Sequence, residues 1–126
     1  MEAIEVMRHS AAHVMAAAVC KLYKNVKLDI GPSTEDGFYY DFDMEHRLAP
    51  EDFPKIEAEI QAIIKAGLPF ERKEVTHAEA ARIFAGQTYK LERLADIPEG
   101  ETVSLYTCGG FTDLCRGPHV AKTSDI

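Results

Sequence analysis

The sequence predicts an α+β fold, an antiparallel sheet with flanking helices, as a single domain over residues 1–126. Three observations carry that expectation. Residues 2–23 and 49–70 repeat apolar side chains at three- and four-residue steps, the period of a helix with one buried face. Residues 26–43 and 101–117 instead alternate on either side of turn residues, the pattern of hairpins and therefore of antiparallel pairing. A length of 126 residues is one domain by size and enough to bury a core.

In chain order, the first helix rests on Ile4, Met7, Val14, Met15, Ala18 and Leu22, with six alanines raising its propensity. The stretch "VKLDIGPSTEDGFYYDFD" turns through Gly31-Pro32 and Asp36-Gly37, a connection too long for a two-residue turn. The second helix has Pro50 near its start, Ile56, Ile60, Ile63 and Ile64 on its buried face, and Gly67 with Pro69 to stop it. "FERKEV" alternates as a strand. Thr76 followed by Glu79 makes a capping box that opens a short helix through "HAEAARIFA". Residues 86–100 fit helix and strand equally. "ETVSLYTCGGFTDLCRG" gives strand, Gly109-Gly110 turn and strand. The final "AKTSDI" reads as a cut or a linker rather than a structural end.

Composition narrows the class. Hydrophobic residues make up 46% and charged residues 28%, ordinary for a globular protein. No apolar run approaches the roughly 18 residues of a membrane span. The first twenty residues carry Glu2, Glu5, Arg8, His9 and His13, unlike a signal peptide. A cytoplasmic location and no membrane partner are the expectation. Three cysteines, Cys20, Cys108 and Cys115, are too few and odd in number for a disulfide framework. The net charge of −7 argues against a protein that grips nucleic acid by itself.

Two short stretches concentrate the chemistry. "RHSAAH" places His9 and His13 four apart, on one helical face. Such a pair can grip a metal, or can occur by chance on a solvated face. "TDLCRGPHV" sets Cys115 and His119 four apart around Gly117-Pro118, a turn that can join the two as metal ligands or as a thiol–imidazole pair. Together the pairs make a Cys/His₃ set suited to tetrahedral zinc, although four protein ligands would close the shell that a catalytic zinc keeps open. Asp113, two residues before Cys115, points to the same side of a strand. It can orient an imidazole, accept from a substrate amine, or be an ordinary turn-edge acid. Tyr39 and Tyr40 face opposite ways, so only one can line a given pocket. Lys90 by itself is unremarkable.

"RHSAAHVMAAAV", "LDIGPSTEDGFYYDFD", "TYKLERL" and "FTDLCRGPHV" resemble, in order and spacing, the editing domain of bacterial threonyl-tRNA synthetases. The resemblance covers essentially the whole chain. A more distant likeness is to alanyl-tRNA editing domains, which hold zinc with their HxxxH and CxxxH residues. The resemblance implies the threonyl/alanyl-tRNA synthetase editing-domain fold and an aminoacyl-tRNA deacylase that hydrolyses serine wrongly esterified to threonine tRNA. Serine lacks one methyl of threonine, worth only about 1–3 kcal/mol of discrimination, so a second sieve is needed.

Carried over residue by residue, the resemblance implies catalytic roles for His9, His13, Lys90, Cys115 and His119. It implies substrate-binding roles for Tyr40, Asp113 and Arg116. It implies that no cofactor is required, with zinc on His9, His13, Cys115 and His119 as the alternative. The partners implied are the 3′ end of mischarged threonine tRNA and the remaining domains of the synthetase. Without the synthetic and anticodon-binding parts, the chain is expected to be an excised editing domain or a free-standing trans-editor, with weak tRNA affinity and marginal activity. Two other readings stay open: a zinc-dependent alanyl-type deacylase, and a structural zinc or interaction module without catalysis.

Overall fold

The fold is α+β. The computed structural model describes residues 2–126. The first helix, α1 (Ala3–Leu22), buries Ala12, His13, Val14, Ala16 and Val19. Small alanines on this face let the neighbouring chain approach closely, and the helix packs against α2 (Phe53–Ala66). A 3₁₀ turn, Pro50–Asp52, leads into α2, and Gly67 ends it with the left-handed φ of 61° that favours glycine. Of the four isoleucines assigned to the buried face of α2, only Ile56 is fully buried; Ile60, Ile63 and Ile64 are half-buried.

The hairpin over 26–43 forms, but regular pairing shrinks to β1 (Lys27–Leu28) against β2 (Phe42–Asp43). Beyond it the chains stay joined by isolated bonds, Asp41 N–H to Ile30 O at 2.9 Å and Tyr39 N–H to Pro32 O at 3.3 Å. The reason is local. Pro32 has no N–H to give to a ladder, and a Cβ at Gly31 would collide with the Tyr40 ring.

The main sheet is β3 (Glu71–Val75), β4 (Val103–Cys108) and β5 (Phe111–Leu114), antiparallel in that order. Register runs from Glu71 opposite Thr107 to Val75 opposite Val103, and from Leu105 opposite Leu114 to Cys108 opposite Phe111. The two-residue turn at Gly109-Gly110 forms as expected. Between β3 and β4 lie α3 (His77–Ile83) and α4 (Thr88–Ala95). The Thr76–Glu79 capping box closes α3, with Glu79 N–H donating to Thr76 Oγ1 at 3.1 Å. The segment that fitted helix and strand equally is thus helical where it forms α4.

Two apolar clusters hold the domain. One joins α1, β1 and α2 through Ala12, Ala16, Val19, Leu28, Tyr40 and Ile56. The other joins the sheet to α3 and α4 through Val75, Phe84, Leu94, Val103 and Leu105. Burying one such large side chain stabilises by about 1.5–3 kcal/mol.

The C-terminal segment corrects an expectation. It is no linker: Thr123–Asp125 form a 3₁₀ turn, and Thr123 is fully buried. Thr123 Oγ1 donates to Ile63 O at 2.7 Å and accepts from Leu68 N–H at 2.9 Å, and its own N–H reaches Leu68 O at 2.8 Å. Hydrophilic composition hid this, because the segment is held by hydrogen bonds rather than by an apolar face. Among the described residues, no helix is long and apolar enough to cross a membrane.

Candidate active site

His9 and His13 of α1, Tyr40 of the hairpin, Lys90 of α4, and Asp113, Cys115, Arg116 and His119 at and after β5 line one cavity of about 330 Å³. Both stretches singled out in the sequence therefore meet. Tyr40 points inward and is buried, whereas Tyr39 is 45% exposed, as the alternation required.

The cavity floor is a closed polar network. Lys90, 3% exposed, sits among apolar residues of α4. Its ammonium has three protons and three acceptors: Asp29 O at 2.6 Å, Tyr40 Oη at 2.9 Å and Asp113 Oδ1 at 2.6 Å. The last is an ion pair whose angles are not those of a hydrogen bond, which leaves Oδ1 without a well-aligned donor. The Tyr40 hydroxyl donates to Asp113 Oδ2 at 2.7 Å. Burial, reinforced by Asp113, pushes the Tyr40 phenol far above its ordinary range, so it stays a donor. A lysine and an aspartate at this depth are tolerated because each charge has the other and a hydroxyl between them.

Above this floor three donor atoms converge. Cys115 Sγ lies 3.4 Å from His9 Nε2 and 3.4 Å from His119 Nε2, and accepts from Gly117 N–H at 3.2 Å. The far ring nitrogens are held in turn. His9 Nδ1 faces Pro118 O at 3.4 Å, which can only accept. His119 Nδ1 faces Ser10 Oγ at 3.1 Å, and Ser10 donates its one proton to Val6 O at 2.8 Å. For the neutral rings these partners favour the Nδ1–H tautomer, which turns both Nε2 atoms toward the sulfur. Burial pushes the Cys115 thiol up to about 11, while the Gly117 N–H acts the other way. Burial, with His9 and His13 adding to it, holds His119 at about 3.

His13 stands apart. Its ring packs edge-on to Phe70, Phe111 and His119 at 5.2, 5.0 and 5.2 Å, and neither ring nitrogen has a hydrogen-bond partner among the described residues. Burial holds it at about 4 against the pull of Asp113, so it is neutral at pH 7.

The fit to zinc follows from these donors. His9, Cys115 and His119 place one ligand atom each within 4.8 Å of the others. The two 3.4 Å sulfur–nitrogen spacings match the roughly 3.3–3.8 Å edges that Zn–N and Zn–S bonds of ordinary length require. Both imidazoles already have the outer partners that metal-bound histidines use. The residues fit, with one revision: His13 is not among the converging donors, so the set is three ligands with an open position rather than a closed Cys/His₃ shell.

Several site residues were not signalled by the sequence. Ser10, fully buried, ties α1 to the GPH turn by accepting Val120 N–H at 3.0 Å besides facing His119. Asp29 offers its carbonyl to Lys90 and clamps Arg93 through both carboxylate oxygens, at 2.8 and 3.0 Å. Gly117, at φ 74°, lies so close to Tyr106 that no side chain would fit, and Tyr106 in turn meets His119 edge-on at 4.5 Å. The available signal was a small polar residue, Ser10, on an otherwise apolar helical face.

Residues 103–126, which supply Asp113, Cys115, Arg116 and His119, match the family model of the threonyl and alanyl tRNA synthetase second additional domain. Over those residues the chain is similar to this family of synthetase-associated domains. Within it, the likeness runs to the threonine enzymes. Threonine–tRNA ligase of Geobacillus kaustophilus is 56% identical over 99% of this chain and 20% of the ligase. Threonine–tRNA ligase 1 of Bacillus subtilis is 54% identical over the same shares, and threonine–tRNA ligase of Clostridioides difficile 50%. The chain spans about a fifth of the length of these relatives.

Proposed function

We propose that the chain is the editing unit of a threonine-specific synthetase, hydrolysing seryl esters of threonine tRNA without a cofactor. Its partners are the 3′ end of the mischarged tRNA and the remaining domains of the enzyme, in the cytoplasm. The observation that carries the reading is the Lys90–Tyr40–Asp113 network beneath a pocket whose buried His13 has no partner of its own.

An aminoacyl ester brings an ammonium, a carbonyl oxygen and a side-chain hydroxyl. The ammonium is the natural partner of Asp113, whose carboxylate is the acceptor of the floor. By drawing on that carboxylate it releases one Lys90 N–H toward the carbonyl oxygen, where negative charge develops as water adds. The bond from carbonyl carbon to ribose oxygen then breaks, the ribose oxygen takes a proton, and serine leaves as the free acid. His13 and His119, neutral at pH 7, are suited to hold the water or the serine hydroxyl. A Cys115 acyl-enzyme is disfavoured, since its thiol is raised to about 11 and stays protonated.

The convergence of His9, Cys115 and His119 favours a second reading, a zinc-dependent alanyl-type deacylase. In it these three residues hold the metal, which would polarise a carbonyl or a bound water. The test is release of serine from seryl-tRNA(Thr) with and without chelator. Chelator-insensitive release that Lys90→Ala abolishes supports the first reading. Release lost with stoichiometric zinc supports the second. Unfolding on chelation without any release points to a structural metal module.

A further inference from the structure

Resting on the reading above, we propose that a second cavity beside the reaction pocket receives the nucleotide preceding the ester-bearing one. Arg116 meets the phosphodiester between the two, and Asp96 and Glu101 read an amino-bearing base. This cavity, about 540 Å³, lies between the end of α4, the start of β4 and the tail of β5. It shares Asp29, Ile30, Lys90, Leu114, Cys115 and Arg116 with the reaction pocket, so a strand entering one passes into the other without leaving the surface.

The charges on its wall single out one phosphate contact. Three cations line it, Lys90, Arg93 and Arg116. Lys90 donates to Asp29 O and Tyr40 Oη and is ion-paired with Asp113, and Arg93 is clamped by Asp29. Arg116 is exposed, lines both cavities and makes no hydrogen bond or ion pair among the described residues. It is the cation left to meet an anion where the cavities join.

Beyond Arg116 the wall changes character. Ile30, Ile97 and Leu114 give an apolar surface suited to the flat face of a base, and Asp96 and Glu101 stand at the rim. Those carboxylates would repel a second phosphate. They accept from an exocyclic amine, as acidic side chains do from cytosine N4, and repel the carbonyl that uracil has in its place. Transfer RNA carries cytidine at this position, so the cavity fits its chemistry.

The experiment is a calorimetric or NMR titration of the 126-residue chain with adenosine, cytidylyl-adenosine and uridylyl-adenosine. Cytidylyl-adenosine is expected to bind about tenfold tighter than adenosine and about fivefold tighter than uridylyl-adenosine. Thr102→Leu, which narrows the cavity without adding a stacking ring, should lower the dinucleotide-to-nucleoside ratio, and Arg116→Ala should lower it in a second, independent way. Circular dichroism checks that each variant is folded. A wild-type ratio near one, or a ratio that survives both Thr102→Leu and Arg116→Ala, overturns the subsite. The readout does not depend on hydrolysis. A chain that prefers cytidylyl-adenosine yet releases no serine keeps the subsite and overturns the editing reading, whereas serine release with no dinucleotide preference does the reverse.

Discussion

At the scale of residues, the site is governed by how few protons serve how many acceptors. Tyr40 both accepts from Lys90 and donates to Asp113, so Tyr40→Phe removes two contacts at once and leaves two buried charged groups short of a partner. The expected cost is about 1–3 kcal/mol in stability, read from denaturant midpoints, together with a lower rate of serine release. Because the ring remains, the variant tests the hydroxyl rather than the packing. Legibility at this scale was uneven. His9, His13, Cys115 and His119 were visible from their spacing and Asp113 from its place two residues before Cys115, whereas Lys90, and the choice of Tyr40 over Tyr39, acquired meaning only through resemblance. Ser10 and Asp29 were missed because their partners lie 109 and 61 residues away, beyond any local pattern.

At the scale of elements, periodicity read α1, the capped α3 and the β4–β5 hairpin correctly, because each is decided by its own sequence. The ambiguous stretch 86–100 was not, since α4 buries Lys90 beside Leu94 and so breaks the apolar pattern of a helix. The C-terminal turn was misjudged for the same reason in reverse: hydrogen bonds to Ile63, Leu68 and their neighbours, which no apolar pattern signals, hold Thr123. Thr123→Val keeps the shape and removes the hydroxyl. It is expected to cost about 1–3 kcal/mol, and an unchanged melting temperature would contradict the assignment. The hairpin and α4 are also joined by the Asp29–Arg93 clamp. The Arg93 hydrogen bonds hold Asp29 below its ordinary carboxylate range against a smaller effect of burial. A depressed folded-state value stabilises above the unfolded value and is lost as pH falls through the folded one. Asp29→Asn should therefore flatten the acid limb of melting temperature against pH below about pH 4, and an unaltered limb would remove the clamp from the account.

At the scale of the whole molecule, the pocket lies where α1, the β1–β2 hairpin, α4 and β5 come together, at the junction of the two apolar clusters. None of these elements contains the site; the fold assembles it from both ends of the chain. The net charge of −7 leaves little long-range attraction for a polyanion, so the proposed tRNA recognition rests on short-range chemistry in the pocket and its neighbour. The measurement that bears most directly on the central claim is single-turnover release of amino acid from seryl-tRNA(Thr) and threonyl-tRNA(Thr), with the 126-residue chain in excess and chelator present. The account predicts that serine leaves faster than threonine by about tenfold or more. Equal rates for the two esters, or release that returns only when zinc is restored, would contradict it.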